Sequence, residues 1–307
     1  MNKMLPWSDR HGFPPAMLAL GWVLAAFILF QLAGAIFAIA VFLLDPNIPI
    51  TPDIIGQLDQ YLGHVFIANS FAQIIVLGLG TWFIALLSTS REARISFFRL
   101  KLYSSTIRFS VLTVILVFLV QPIIWFLSWV NGLLPMPENY LAFEEQQLQM
   151  IENYLRSDHF VLLTVVHVAL VPAICEEVMF RGYIMRMFEK NWGVIAAIVV
   201  SGFIFGAYHL RISQLLPLAM MGIMLAWLTI KSGSLLPAIV AHFVNNAGSV
   251  IAGSYYPELV FDTVGDNFVP PFPIVALSVI ATFGLLYYMN SIIDNNETAA
   301  LEGDSNV

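Results

Sequence analysis

The stretch VLLTVVHVALVPAICEEVMFRGYIMRMFEKNWG, residues 161–193, decides the fold. Val161–Ile174 is almost wholly apolar. The apolar character continues past Glu176, Glu177 and Arg181, with no turn signal before Asn191-Trp192-Gly193. A strand of a membrane barrel would alternate polar and apolar residues, which this run does not do. An open sheet in lipid would leave backbone groups unpaired. The pattern therefore predicts one long helix from about Phe160 to about Lys190, ending in a turn at 191–193.

The rest of the chain agrees with a helix bathed in lipid. Of 307 residues 59% are hydrophobic and 33 are charged, 13 basic and 20 acidic. A soluble chain carries about 25% charge, against 11% here. A mean hydropathy of +0.82 leaves too little polar surface to coat a globule. Disorder needs low hydrophobicity, and nucleic-acid binding needs a basic surface, whereas the net charge is −7. One cysteine, Cys175, excludes an internal disulfide framework and a cysteine-built zinc site.

Windows of at least 17 residues without Asp, Glu, Lys or Arg occur eight times, at 11–44, 60–90, 109–137, 159–175, 191–210, 212–230, 232–257 and 267–293. Each has room for one membrane span of about 20 residues. The expectation is an all-α polytopic membrane protein: a single transmembrane domain over 1–307 with about eight transmembrane helices. Its motif-bearing core covers 160–252, and an acidic, disordered tail covers 294–307. The first window exceeds the roughly 7–15 residues of a signal-peptide core, so it reads as an uncleaved anchor. Basic residues fall 11 to 2 on alternate sides: Lys3, Arg10, Arg91, Arg94, Arg99, Lys101, Arg108, Arg181, Arg186, Lys190 and Lys231 against Arg156 and Arg211. The rule that basic loops stay inside puts both termini in the cytoplasm of a cell-membrane protein. The opposite loops are acidic, with Asp45, Asp53, Asp59, Glu138, Glu144, Glu145, Glu152, Glu258, Asp262 and Asp266. Within the outer loop 131–158, Glu144–Gln147 alternate with Leu141, Leu148 and Ile151 as in an amphipathic helix on the membrane surface.

Ionisable groups inside a membrane are expensive and mark function. Glu177 and Arg181 are four apart and share a helix face, so they can pair; Glu176 points about 100° away. Glu176 lies about 16 residues before the 191–193 turn and His209 about 16 after it. In an antiparallel hairpin both stand about 24 Å from the turn, at the same depth. Gly202 and Gly206 form a small-xxx-small pattern that permits close helix approach and would bring His209 toward Glu176. His242 and Asn246 share one face of a later helix, beside Asn245. This depth match requires the 181–192 segment to project beyond the cytoplasmic face of the bilayer.

The set Glu176-Glu177-x-x-x-Arg181, Phe205-x-x-x-His209 and His242-x-x-x-Asn246 resembles the CAAX protease and bacteriocin-processing (CPBP, or Abi) family of intramembrane proteases. The motifs span about 70 residues, and the helix count fits the family core. The resemblance implies hydrolysis of a peptide bond in a membrane-associated protein or peptide. By matching positions, Glu176 looks like the base that activates water, His209 its partner, His242 and Asn246 the oxyanion stabilisers, and Glu177 and Arg181 supporting residues. Family members have been called metalloproteases, and a metal-free glutamate mechanism is also proposed for the fold.

The residue chemistry suits these roles. A carboxylate withdrawn from water is a useful general base near neutrality. Imidazole and amide N–H groups can stabilise charge developing on a carbonyl oxygen. Glu176, His209 and His242 could instead hold zinc, although adjacent Glu176 and Glu177 cannot easily face one ion; the metal-free reading, with no cofactor, is preferred. There is no His-Glu-x-x-His helix and no Gly-x-Ser-x-Gly elbow. Cys175 is a poor nucleophile beside two carboxylates and reads as a packing residue, as does His167. The lipid bilayer and a peptide substrate are the expected partners, with no nucleic acid; oligomeric state and substrate identity stay open. The alternatives are a proton-coupled transporter using buried Glu and His as a relay and a non-catalytic immunity or scaffold protein.

Overall fold

In the computed structural model, residues 6–45, 48, 61–89, 94–264 and 268–304 are described, and all regular structure among them is helical. Lys3, Arg91, Asp53, Asp59 and Asp266, used above for orientation, lie outside that set. Seven helical segments are long and apolar enough to cross a membrane. One of them, Val161–Tyr208, runs for 48 residues and holds two of the eight charge-free windows. It is folded in two at Gly193, whose φ of 79° and ψ of 174° are non-helical. That backbone region is open essentially to glycine alone, so the turn falls where the sequence placed it. The seven segments thus make eight apolar rods among the described residues, a polytopic bundle.

We number the helices α1 (Pro15–Leu44), α2 (Leu62–Leu87), α3 (Ser104–Gly132), α4 (Glu138–Arg156), α5 (161–192), α6 (194–208), α7 (Leu215–Ser232), α8 (Leu236–Tyr255) and α9 (Phe272–Asp304). Leu24, Ile28, Leu32 and Ile36 form an exposed i, i+4 stripe on α1, and Leu277, Ile280 and Phe283 are exposed on α9. In water such stripes would be a liability; on a spanning helix they are the lipid-facing side.

Two apolar clusters divide the bundle. One joins α1, α2, α5 and α6 through residues such as Trp22, Leu77, Met179, Phe180 and Phe205. The other joins α3, α7, α8 and α9 through Phe109, Leu116, Leu225, Ala241 and Met289. The two halves meet where α6 crosses α7. A Cβ added at Gly222 would lie 2.7 Å from the Gly202 carbonyl oxygen, and one added at Gly206 would lie 2.9 Å from the Ala219 nitrogen. The Gly202/Gly206 pair therefore seats α6 on α7. It does not draw α6 toward the α5 carboxylates, as the spacing alone suggested.

The cytoplasmic-side expectation for 181–192 also changes in detail. Ile184, Met185, Met187 and Phe188 are buried beneath the segment between α2 and α3. Arg99 donates to Glu189 through Nη1 at 2.9 Å and Nη2 at 3.1 Å, and Arg186 Nε donates to the Phe97 carbonyl at 3.1 Å. The hairpin end is capped by packed protein. Arg181 is 0% exposed, so it is not a loop charge, and removing it from the 11 basic residues leaves ten on that side against two.

α4 is a helix as its pattern foretold, but it does not merely lie on lipid. Leu155 is buried, and its Cδ1 would lie 2.8 Å from a Cβ at Gly253 of α8. The Tyr140 hydroxyl accepts from Ile212 N–H at 2.8 Å and lies 2.7 Å from the Leu210 carbonyl. Leu210 takes a left-handed φ of 53°, so α4 pins the strained turn that follows His209.

Gly222→Val and Gly202→Val are expected to push α6 from α7 and destabilise the protein by about 1–3 kcal/mol through overpacking. Gly284 has open space around its Cα, and Gly284→Ala is expected to be neutral or slightly stabilising. Thermal unfolding of the three variants in detergent checks this contrast; equal midpoints would remove the α6/α7 seat from the account.

Candidate active site

The site forms where α5, α6 and α8 approach one another. Its foundation is buried. Arg181 Nη1 donates to Glu177 Oε1 at 2.8 Å, one helical turn apart, and both side chains are 0% exposed. Nη2 of the same guanidinium donates to the Gly222 carbonyl of α7 at 2.9 Å. Its Cζ lies 4.4 Å from the Phe205 ring centroid on α6, a cation–π distance. His242 Nδ1 of α8 donates to the same Glu177 Oε1 at 2.9 Å. One ion pair thus holds four helices.

Glu176 points away from that pair, as the 100° offset requires, and enters a cavity. Its Oε2 lies 3.9 Å from His209 Nε2 and 4.0 Å from His242 Nε2. The tautomers follow from the partners. A carboxylate and a carbonyl can only accept, so His242 Nδ1 carries the proton given to Glu177. His209 Nδ1 likewise carries the one given to the Phe205 carbonyl, at 2.8 Å. In the neutral imidazoles both Nε2 lone pairs therefore face Glu176 Oε2, a buried oxygen with no hydrogen-bond partner among the described residues. Three acceptors face one another across one small space.

Asn246 lines the same cavity, which has a volume of about 420 Å³. Its Nδ2 donates to the Val168 carbonyl at 3.4 Å. The reason is local: Pro172 has no N–H to return to the carbonyl four residues earlier, and Asn246 takes the freed acceptor. An amide relay orients it further. Gln121 Nε2 on α3 donates to Asn245 Oδ1, and Asn245 Nδ2 donates to Asn246 Oδ1, both at 3.2 Å. The second N–H of Asn246 is thereby left for the cavity. Apolar Phe66, Leu155, Pro172 and Val250 complete most of the wall.

All six residues singled out by spacing, Glu176, Glu177, Arg181, His209, His242 and Asn246, lie in or directly beneath this cavity. Cys175 is buried with its Sγ 3.5 Å from where a Gly78 Cβ would be, a packing position. His167 Nδ1 lies 2.8 Å from Ser70 Oγ and joins α5 to α2. Sequence reading missed Gln121, Gly222 and Tyr208. Only Gly222 had a detectable signal, as a small residue opposite the α6 glycines; the other two come from folding alone.

A zinc ion would set a definite spacing on these donors. Bonds of about 2.0–2.1 Å in a tetrahedron place neighbouring donors about 3.3 Å apart. The 3.9 and 4.0 Å separations around Glu176 Oε2 are wider. Among the described residues no three His, Cys, Asp or Glu side chains are grouped to hold a metal ion. Glu176, His209 and His242 are the side chains that would hold a metal ion, at separations wider than a tetrahedral zinc shell sets.

Arg181→Ala leaves Glu177 buried without its cation, which is expected to cost about 3–5 kcal/mol in detergent unfolding. The double variant Glu177→Gln, Arg181→Met is expected to recover much of that stability. A single Arg181→Ala that unfolds like wild type would contradict the structural role given to the pair.

No curated protein and no solved structure matched the chain. Against family models, residues 158–248 match the type II CAAX prenyl endopeptidase Rce1-like family, and the matched segment runs from just before α5 into α8 and includes Glu176, Glu177, Arg181, His209, His242 and Asn246. Helices, motifs and match together make residues 158–248 similar to the Rce1-like endopeptidase family.

Proposed function

We propose that the protein is an intramembrane endopeptidase that hydrolyses a peptide bond of a membrane-associated protein or peptide, with Glu176 as the base that activates water. The observation carrying this reading is the convergence of Glu176 Oε2, His209 Nε2 and His242 Nε2, three acceptors without a donor. A water oxygen about 2.8 Å from two of them satisfies both with its two hydrogens, and its lone pairs are then turned outward toward a carbonyl carbon.

In the proposed reaction Glu176 takes one proton as the water oxygen bonds to the scissile carbonyl carbon. The C–N bond then breaks. The proton passes to the leaving nitrogen through Glu176 or His209, and the products are a carboxylic acid and an amine. The free N–H of Asn246 is the oxyanion donor. His242 is held beside it, its Nδ1–H donated to Glu177 and its Nε2 4.0 Å from Glu176 Oε2. The reaction needs no cofactor on this reading.

The apolar wall supports a lipid-modified or hydrophobic peptide as substrate. The family's name points to prenylated chains, and the cavity's chemistry is compatible with one. The basic excess on the side of the α5/α6 turn supports cytoplasmic termini in a cell-membrane protein.

Glu176→Gln keeps shape and removes the base. It is expected to lower cleavage of a membrane peptide by about 10²–10⁴-fold with folding intact, measured by mass spectrometry of peptides from cells expressing either form. Undiminished cleavage by a folded variant would end the assignment. A zinc chelator is expected to leave the rate of the purified protein unchanged; inhibition reversed by added zinc would overturn the metal-free mechanism.

A further inference from the structure

Glu176 and His209 line a second cavity as well as the apolar one. It has a volume of about 230 Å³ and lies between α1, α2 and the α5/α6 hairpin; beside Glu176 and His209, Gln31, Asn69, Gln73 and Tyr208 stand in a wall otherwise built of Phe and Leu side chains. Three buried polar atoms around it, Gln73 Oε1, the Tyr208 hydroxyl and Glu176 Oε2, have no hydrogen-bond partner among the described residues. Gln73 is only 7% exposed. Leaving such an atom unsatisfied carries a desolvation penalty, so three around one cavity point to a small polar ligand that completes them.

The mouth of the cavity carries the same message. Gln31 and Asn69 are exposed on helices whose neighbouring outward residues are Ile28, Leu32, Phe71 and Ile75. Amides turned toward hydrocarbon are expensive unless they border a polar passage. The volume suits several waters, each taking about 30 Å³ in the liquid. The peptide-sized apolar cavity lies on the other side of Glu176 and His209.

We propose that the α1/α2 cavity is a water-holding site that supplies the carboxylate of Glu176 from the side opposite the substrate. The functional part of this idea rests on Glu176 acting as the base. A substrate filling the apolar cavity excludes solvent from its own side, as a closed active site does, yet each turnover consumes one water. A separate polar passage lets the partition formed by Glu176 and His209 be rewetted while substrate is bound.

Cysteine accessibility tests this in proteoliposomes. The native thiol, Cys175, is buried, so the unmodified chain supplies the blank. Asn69→Cys and the lipid-facing control Ile28→Cys are treated with a charged methanethiosulfonate, which needs a thiolate and hence water. Asn69→Cys is expected to react at least several-fold faster, and a saturating hydrophobic peptide substrate is expected not to protect it. Equal rates, or protection by the peptide, would overturn the proposal. Gln73→Leu with Tyr208→Phe is expected to lower kcat several-fold with KM unchanged; a raised KM at constant kcat would assign the cavity to substrate and also overturn it. Labelling does not depend on cleavage, so it reports on the passage even if Glu176→Gln retains activity and the protease reading fails.

Discussion

The Glu177–Arg181 pair is the constraint on which the site depends. Burying two charges is costly, and apolar residues of similar size would often be at least as stable. What the pair supplies is position. The guanidinium reaches a backbone carbonyl on α7 and the Phe205 ring on α6 while its partner carboxylate holds the His242 ring on α8. Lysine could not do this, because one ammonium lacks the planar fork that addresses two acceptors at a fixed angle. Helices in lipid gain little from apolar contact with one another, so a directional anchor of this kind matters more than it would in a soluble core.

The anchor also sets the chemistry. With His242 Nδ1 committed to Glu177 and His209 Nδ1 to a backbone carbonyl, both imidazoles present lone pairs where a less constrained ring could present either nitrogen. A carboxylate set against two such rings calls for a donor between them, and in the proposed reaction water is that donor and the nucleophile. The same two residues that face the apolar cavity face the polar one behind it. Glu176 and His209 therefore stand between a space suited to a peptide and a space suited to water.

Much of the site was legible in the chain because helical periodicity is strict. A four-residue spacing placed Glu177 with Arg181. The 100° step turned Glu176 the other way, and nearly equal distances from the 191–193 turn brought His209 level with it. The purpose of Gly202 and Gly206 was not legible, since small residues announce a close approach without naming the partner, and the partner is α7. Gln121 and Tyr208 carry no motif; each acquires meaning only from a neighbour distant in the chain. The role of Pro172 was hidden too, for a missing N–H shows which carbonyl is freed but not which side chain claims it.

Charge scarcity, apolar run length and the position of one glycine determined a helical membrane bundle and the depth at which its polar residues meet. These are local properties, governed by the fixed rise and turn of a helix and by the cost of bare backbone in lipid. Which faces of the helices meet was decided only in three dimensions, by the α6/α7 glycine contact and the shared carboxylate of Glu177. So were the protonation sites of the two histidines and the division of space into an apolar and a polar cavity. Each depends on atoms from several helices arriving together, and no spacing along a single helix specifies that.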